Sequence, residues 1–106
     1  MNKERVVIVG YRPFEGKEKQ LEELMKTHIS ILREEGLVSE REAIVMRSKD
    51  GTIIEVFSWK SKEALEKAHT NLVVQKMWQQ YAEVCEYIPV GELDEMKHIF
   101  SEFDLI

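Results

Sequence analysis

The chain has 106 residues, of which 43% are hydrophobic and 33% charged, and its formal net charge at pH 7 is -5. This length and composition predict one folded domain, residues 1–106, rather than a disordered chain. Nucleic-acid binding depends on clustered Lys and Arg, whereas the basic residues here are interleaved with Glu. We therefore expect no nucleic-acid partner.

The sequence also carries little sign of targeting or of thiol chemistry. It has no charged-then-apolar leader and no apolar run of about 18 residues, so we expect no membrane span and a cytoplasmic location. Cys85 is the only cysteine, which excludes an internal disulfide and a thiolate metal cluster. A small buried hydrophobe is the favoured interpretation of Cys85, and a catalytic thiol is the alternative.

The first half of the chain predicts a strand, a helix and a hairpin. Residues 5–12 are β-branched and apolar and end at Pro13, as expected of a strand. A helix is predicted over residues 17–35, ended by Gly36 in the left-handed position. Its apolar stripe contains Leu21, Leu24, Met25, His28 and Leu32. The runs "REAIVMRS" and "TIIEVFSW" predict two strands, because the Asp-Gly step between them favours a tight hairpin.

The second half predicts two helices and a closing strand. Ser61 is suited to begin a short helix that ends near His69, and Thr70 or Asn71 to begin the next. Pro89 prevents that second helix from continuing. The segment "VGELDEM" is predicted as a loop and "HIFSEFDLI" as the last strand. One face of the second helix is predicted to carry Val74, Met77, Trp78, Tyr81, Val84, Cys85 and Ile88.

This β-α-β-β-α-β order predicts an α+β, ferredoxin-like sheet with its helices on one face. The other face would then be polar in a monomer, but both faces are apolar. Ile53, Phe57 and Trp59 alternate with Ile54 and Val56 along one strand, and residues 6–9 are apolar throughout. A second copy would cover the free face, so we expect a homodimer that forms a dimeric α/β barrel.

The order of elements and the runs "EVFSWKSKEALEKAHTN" and "VVQKMWQQYAEVCEYIPVGEL" resemble the antibiotic biosynthesis monooxygenase (ABM) family of dimeric α/β barrels. The resemblance covers nearly the whole chain. Its most specific part is the strand-end Trp59, then Ser61, the "EAL" step and His69. The family includes small oxygenases that attack quinols and polycyclic aromatics without a metal or organic cofactor. It also includes haem-degrading enzymes and proteins without a known activity.

Cofactor-free oxygenation needs a base that deprotonates a phenol or quinol, donors that stabilise the anion, and a dry pocket. We therefore interpret His69 and His28 as candidate catalytic bases, since histidine titrates near neutral pH. Aromatic side chains offer apolar walls with a hydrogen-bond donor. The candidate substrate-binding residues are Trp59, Trp78, Tyr81, Tyr11 and Phe57. No metal site and no cofactor are predicted.

Each candidate has a structural alternative. His28 fits equally well as a hydrogen-bonded core residue, and His69 as a helix-end residue that interacts with the dipole. Trp59 also fits a plug in the core or interface, and Trp78 and Tyr81 fit core packing. His98 lies near the predicted last strand and has no nameable partner.

Two other site types are disfavoured. The haem-degrading branch uses an Asn in its first strand, which reads "VVIVGYRP" here, and its His and Trp positions fall near Trp78 and Ala68. A metal site from His28, His69 and a carboxylate is weakly indicated, because no HxH or HExxH spacing occurs.

Two functions stay open from the sequence. One is a cofactor-independent monooxygenase acting on a small aromatic or quinol-type compound. The other is a non-catalytic dimeric barrel that binds a small apolar ligand. For either, we expect Trp59, His69, His28 and Tyr11 to lie near one mouth of the space between helices and sheet.

Overall fold

The elements follow the predicted order with two additions, a short strand at Cys85–Ile88 and the 3-10 helices after it. The computed structural model describes residues 3–106, so Met1 and Asn2 of the predicted domain lie outside the described residues. Two short 3-10 helices, Val90–Glu92 and Asp94–Lys97, follow the fourth strand. The strands and α-helices are β1 (Arg5–Pro13), α1 (Glu18–Glu34), β2 (Ile44–Arg47), β3 (Ile53–Trp59), α2 (Lys62–Ala68), α3 (Leu72–Val84), β4 (Cys85–Ile88) and β5 (Asp104–Leu105).

Across residues 3–106 these strands form one antiparallel sheet of five strands in the order β4-β1-β3-β2-β5. The α+β class is therefore confirmed, and the inner order β4-β1-β3-β2 is compatible with a ferredoxin-like sheet. In the register of the central pair, Val9 lies opposite Glu55 and Gly10 opposite Ile54. Gly10 also pairs with Ile88, and a Cβ at position 10 would lie 2.7 Å from the Ile88 carbonyl oxygen.

The prediction for the end of the second helical region was wrong. Cys85 and Ile88 were expected on a helical face, but helix α3 ends at Val84 and residues 85–88 form β4 against β1. The predicted closing strand is also mostly irregular, because only Asp104–Leu105 pairs, with β2. His98 accordingly lies after the second 3-10 helix and outside any strand.

The helix ends follow local chemistry. Gly36 has φ +71°, the left-handed conformation predicted for it, and the amide of Leu37 donates to the carbonyl of Leu32. The Ser61 hydroxyl accepts from the Ala64 amide at the start of α2. Of the two candidates for starting α3, Asn71 is the cap, since its side chain accepts from the Val74 amide. None of the helices within residues 3–106 is long and apolar enough to cross a membrane.

The main core lies between the sheet and helices α1 and α3. Leu21 and Leu32 of α1 and Val74 of α3 are fully buried against the inward side chains of β1 and β3. We call this the inner face of the sheet. It carries the odd-numbered residues of β1 and β3, as the alternation of the strands predicts.

The opposite, outer face is divided into two parts. Leu93 packs over Ile54 and Ile88, so the chain's own segment after β4 covers one part. Val6, Ile8 and Ile44 are 65%, 52% and 50% exposed and leave the other part bare. The expectation that this whole face needs an external cover was therefore too broad, and Ile54, only 1% exposed, is not a free surface residue.

Candidate functional site

An aromatic cavity of about 310 Å³ opens on the inner face of the sheet. Its volume lies at the lower end of the range for small-molecule sites. Strands β1, β3 and β4 and helix α3 supply the wall. The lining residues are Val9, Tyr11, Trp59, Trp78 and Tyr87.

A buried carboxylate lies beside this cavity. Glu55 sits at the centre of β3, is fully buried, and faces the inner side opposite Val9. The Tyr11 hydroxyl donates to Glu55 Oε1 over 2.8 Å. His28 Nδ1 lies 2.9 Å from Oε1 and 3.1 Å from Oε2, and it donates because a carboxylate accepts. Tyr11, Glu55 and His28 thus form a closed network, in accord with the rule that buried charges have partners.

Further aromatic rings enclose this network. The His28 ring packs edge-on against Phe57 and against Tyr81, each at 5.5 Å between centroids. Tyr81 is fully buried, its hydroxyl donates to the Met25 sulfur over 3.4 Å, and it does not line the aromatic cavity. Phe57 likewise lies behind the wall, where it contacts Trp59 at 5.2 Å.

The tyrosines of this region are held in their neutral form. Burial, and then the Glu55 charge and hydrogen bond, raise the pKa of Tyr11 far above its ordinary value. Burial and the same carboxylate also raise the pKa of Tyr81. Tyr87, at the cavity rim, has its pKa raised to about 12, mainly by burial. Each therefore acts as a hydroxyl and not as a phenolate near neutral pH.

His69 lies at the outer side of the cavity wall. It caps the C-terminal end of α2, is exposed, and packs edge-on against Trp78 at 5.4 Å. Its Nδ1 is 3.1 Å from the Leu65 carbonyl oxygen, which only accepts, so Nδ1 carries a proton. In neutral His69 the basic lone pair is therefore on Nε2.

The predicted site residues thus fall into three groups. Tyr11, Trp59 and Trp78 line one cavity, whereas Phe57 and Tyr81 support it from behind. The two candidate bases do not meet at a single point: His28 is buried on Glu55, and exposed His69 contacts the cavity only through Trp78.

Cys85 has the environment of a structural residue. Its side chain is 3% exposed and its Sγ donates to the Tyr81 carbonyl over 3.3 Å. Burial raises the pKa of this thiol to about 11, so it stays protonated near neutral pH. The thiolate needed for nucleophilic attack is thereby disfavoured.

A larger groove of about 1060 Å³ lies elsewhere, between the β2–β3 turn and the C-terminal segment. His98 is part of its lining, together with Asp50, Glu92 and Lys97. These charged side chains are open to solvent, so the groove lacks the dry wall that makes a small-molecule site selective. Within residues 3–106, no group of three His, Cys, Asp or Glu side chains is arranged to hold a metal ion.

Three residues of the site were absent from the sequence prediction: Val9, which was interpreted only as a strand residue, Glu55 and Tyr87. Glu55 could have been found, because strand alternation puts it on the same face as Ile53 and Phe57, where a carboxylate is unexpected. Tyr87 could not, because its segment was interpreted as helix and only its pairing with Tyr11 brings it to the cavity.

Comparisons of the chain with protein-family models, curated proteins and solved structures found no match. The resemblance to the ABM family therefore stays a prediction from the residues quoted above, from Trp59 to His69 and the run that follows them.

Proposed function

We propose that this chain is a small oxygenase of the ABM type that acts, without metal or organic cofactor, on an aromatic compound of phenol or quinol type. The observation that carries the proposal is the aromatic cavity whose wall residue Tyr11 is bonded to the buried carboxylate of Glu55. Trp59 and Trp78 both line this cavity and offer apolar ring surfaces to an aromatic compound, and His69 beside Trp78 can accept a proton at Nε2.

In this proposal the protein's part is to form the substrate anion at the open side of the aromatic cavity, next to Trp78. His69 is exposed there, and its Nε2 accepts the proton of a phenol group that reaches past Trp78, because the Nδ1 proton is fixed on Leu65. The electron-rich anion then reduces O2 directly. For a ring that carries a conjugated CH2 group, one oxygen atom replaces both hydrogens as C=O and the other leaves as water. The substrate supplies all four electrons, so the balance needs no separate reductant.

The test is aerobic incubation of the purified protein with a panel of quinols and hydroxylated polycyclic aromatics, followed with an oxygen electrode. We expect uptake above the protein-free rate with at least one compound. His69→Ala should lower kcat by about 100-fold or more, the usual contribution of a general base. It should leave the melting temperature nearly unchanged, because His69 is exposed.

His98→Ala is the matched control, since His98 lies in the distant charged groove and should keep full activity. Absence of uptake with every compound contradicts the oxygenase. Equal activity of the His69 and His98 variants contradicts the role of His69.

We also propose that the bare part of the outer face pairs with a second copy, as in a dimeric α/β barrel. Val6, Ile8 and Ile44 are neighbours across β1, β3 and β2, because Val56 pairs with both Ile8 and Ile44. An apolar patch on a sheet face is typical of an interaction surface.

The second candidate function is a non-catalytic barrel that binds a small apolar ligand. It is favoured by one observation: Glu55 already receives hydrogen bonds from Tyr11 and His28, so its network is satisfied without a substrate. Binding of aromatic compounds without any oxygen uptake would support this alternative.

A further inference from the structure

The hydroxyl of Tyr11 has only its acceptor side left for a ligand. A tyrosine hydroxyl has one proton and two lone pairs, and the Tyr11 proton is given to Glu55 Oε1 over 2.8 Å. The bond is fixed from both sides, because His28 holds the carboxylate through Nδ1 at 2.9 Å and 3.1 Å.

The Glu55 carboxylate likewise has only acceptor positions left. Glu55 has about four lone-pair positions on its two oxygens, and Tyr11 and His28 supply two protons between them. Ionisation of the Tyr11 hydroxyl to a phenolate is strongly disfavoured, because burial and the neighbouring Glu55 charge raise its pKa. The polar part of the site at Tyr11 therefore accepts hydrogen bonds and does not donate them.

We propose that the Tyr11 hydroxyl is within reach of a ligand in the cavity, and that Glu55, acting through it, is a specificity-determining residue. The cavity then selects aromatic ligands with a hydroxyl donor over those that are aprotic or carry only an acceptor. The inference rests on the proposed function only in taking the aromatic cavity as the ligand site. Glu55 acts as a positioning residue, because it orients the Tyr11 hydroxyl and does not line the cavity.

The test measures the binding of three probes of similar size by equilibrium dialysis: 2-naphthol, 2-methylnaphthalene and 2-naphthaldehyde. The readout is the ratio of the 2-naphthol affinity to the 2-methylnaphthalene affinity within one variant, because partial unfolding lowers both affinities equally. Tyr11→Phe removes the acceptor, so this ratio should fall about fivefold to tenfold, the effect of one hydrogen bond.

Glu55→Gln tests whether Glu55 orients the Tyr11 hydroxyl or only stabilises the fold. The amide can donate to Tyr11, which frees the Tyr11 proton for the ligand, so 2-naphthaldehyde should gain affinity relative to 2-naphthol. Tyr81→Phe is the matched control: it removes a buried tyrosine hydroxyl that donates to Met25 and does not line the cavity, and the ratio should not change.

Unchanged ratios in both Tyr11→Phe and Glu55→Gln overturn the inference, as does failure of all three probes to bind the wild-type protein. The outcome is separate from that of the proposed function. If the affinity ratios shift as expected and no oxygen is consumed, the inference is supported and the oxygenase is refuted. If oxygen is consumed and the affinity ratios do not change, the oxygenase is supported and the inference is refuted.

Discussion

At the scale of single residues, the tyrosines around Glu55 link the site to stability. The ordinary pKa of a tyrosine is 10.0, and burial raises the pKa of Tyr11, Tyr81 and Tyr87 above it in the folded protein, for Tyr87 to about 12. Above about pH 10 the unfolded chain has lost protons that the folded chain still binds. The free energy of unfolding therefore falls as the pH rises through this range.

We expect urea unfolding to show a nearly constant stability from about pH 7 to about pH 8 and a gentle decline from about pH 9, where the Cys85 thiol ionises in the unfolded chain and stays protonated in the folded one. A steeper decline should follow above about pH 10, where the tyrosines ionise in the unfolded chain. Tyr11→Phe should make that decline shallower, because it removes the hydroxyl that lies against the buried carboxylate. Near-ultraviolet absorbance of tyrosinate checks the same point. Tyrosines that all ionise near pH 10.0 in the folded protein would contradict the prediction.

Glu55 illustrates what single residues reveal in a sequence. The alternation of β3 places its side chain on the inner face, and this could be read directly from "IIEVFSW". Its partners could not, because Tyr11 and His28 lie 44 and 27 residues away and meet it only when β1 and α1 pack on β3. The sequence thus predicts that a carboxylate lies unexpectedly on the inner face, but it does not predict which residues hydrogen-bond to it.

At the scale of elements, the start of α3 depends on one side chain. Asn71 accepts from the Val74 amide over 3.1 Å and donates to Glu35 over 2.9 Å, so it fixes the join between α2 and α3 to the end of α1. Thr70, the other candidate from the sequence, donates its hydroxyl back to the Lys67 carbonyl at the end of α2.

We predict that Asn71→Ala lowers the free energy of unfolding by about 1 kcal/mol, the usual cost of losing an N-cap. Thr70→Ala, one residue away at an exposed position, should change it by less than about 0.5 kcal/mol. Chemical denaturation of the two variants measures both values. A larger loss for Thr70→Ala than for Asn71→Ala would show that α3 begins differently.

Helix α3 also shows where element prediction failed. Val84, Cys85 and Ile88 repeat at spacings that suit a continuing helix, and Pro89 gives the first clear stop. The chain instead becomes extended at Cys85, because β1 offers an edge on which β4 pairs. Pairing with β1 thus outweighs the helical spacing of the apolar residues. It could not be predicted from the four residues of β4 alone. Helix α1 had clear signals at its C-terminal end, and Gly36 ends it as predicted.

At the scale of the whole molecule, the pairing proposed for the outer face predicts the oligomeric state. We expect a homodimer by light scattering at micromolar concentration. Ile8→Lys should convert it to a folded monomer, because a lysine that loses its water in an apolar interface is costly. Ile8 is a better position than Ile54, which the chain's own Leu93 covers.

Val73→Lys is the control for this experiment. Val73 is 47% exposed at the start of α3, away from the outer face, so the same change there should leave the dimer intact. A wild-type protein that is monomeric under these conditions would contradict the pairing proposed here.

Gly10 allows β1 and β4 to lie close together, and this affects the cavity although Gly10 does not line it. The strand β4 can approach β1 closely only because position 10 has no side chain; a methyl group there would meet the Ile88 carbonyl at 2.7 Å. Tyr87, next to Ile88 on β4, forms one wall of the aromatic cavity. The distance between β1 and β4 therefore also determines how near Tyr87 lies to Tyr11; the two ring centroids are 5.4 Å apart in the cavity wall. Exchange of Gly10 for Ala would push β4 away from β1 and so change the size of the cavity, although no residue that lines the cavity would be altered.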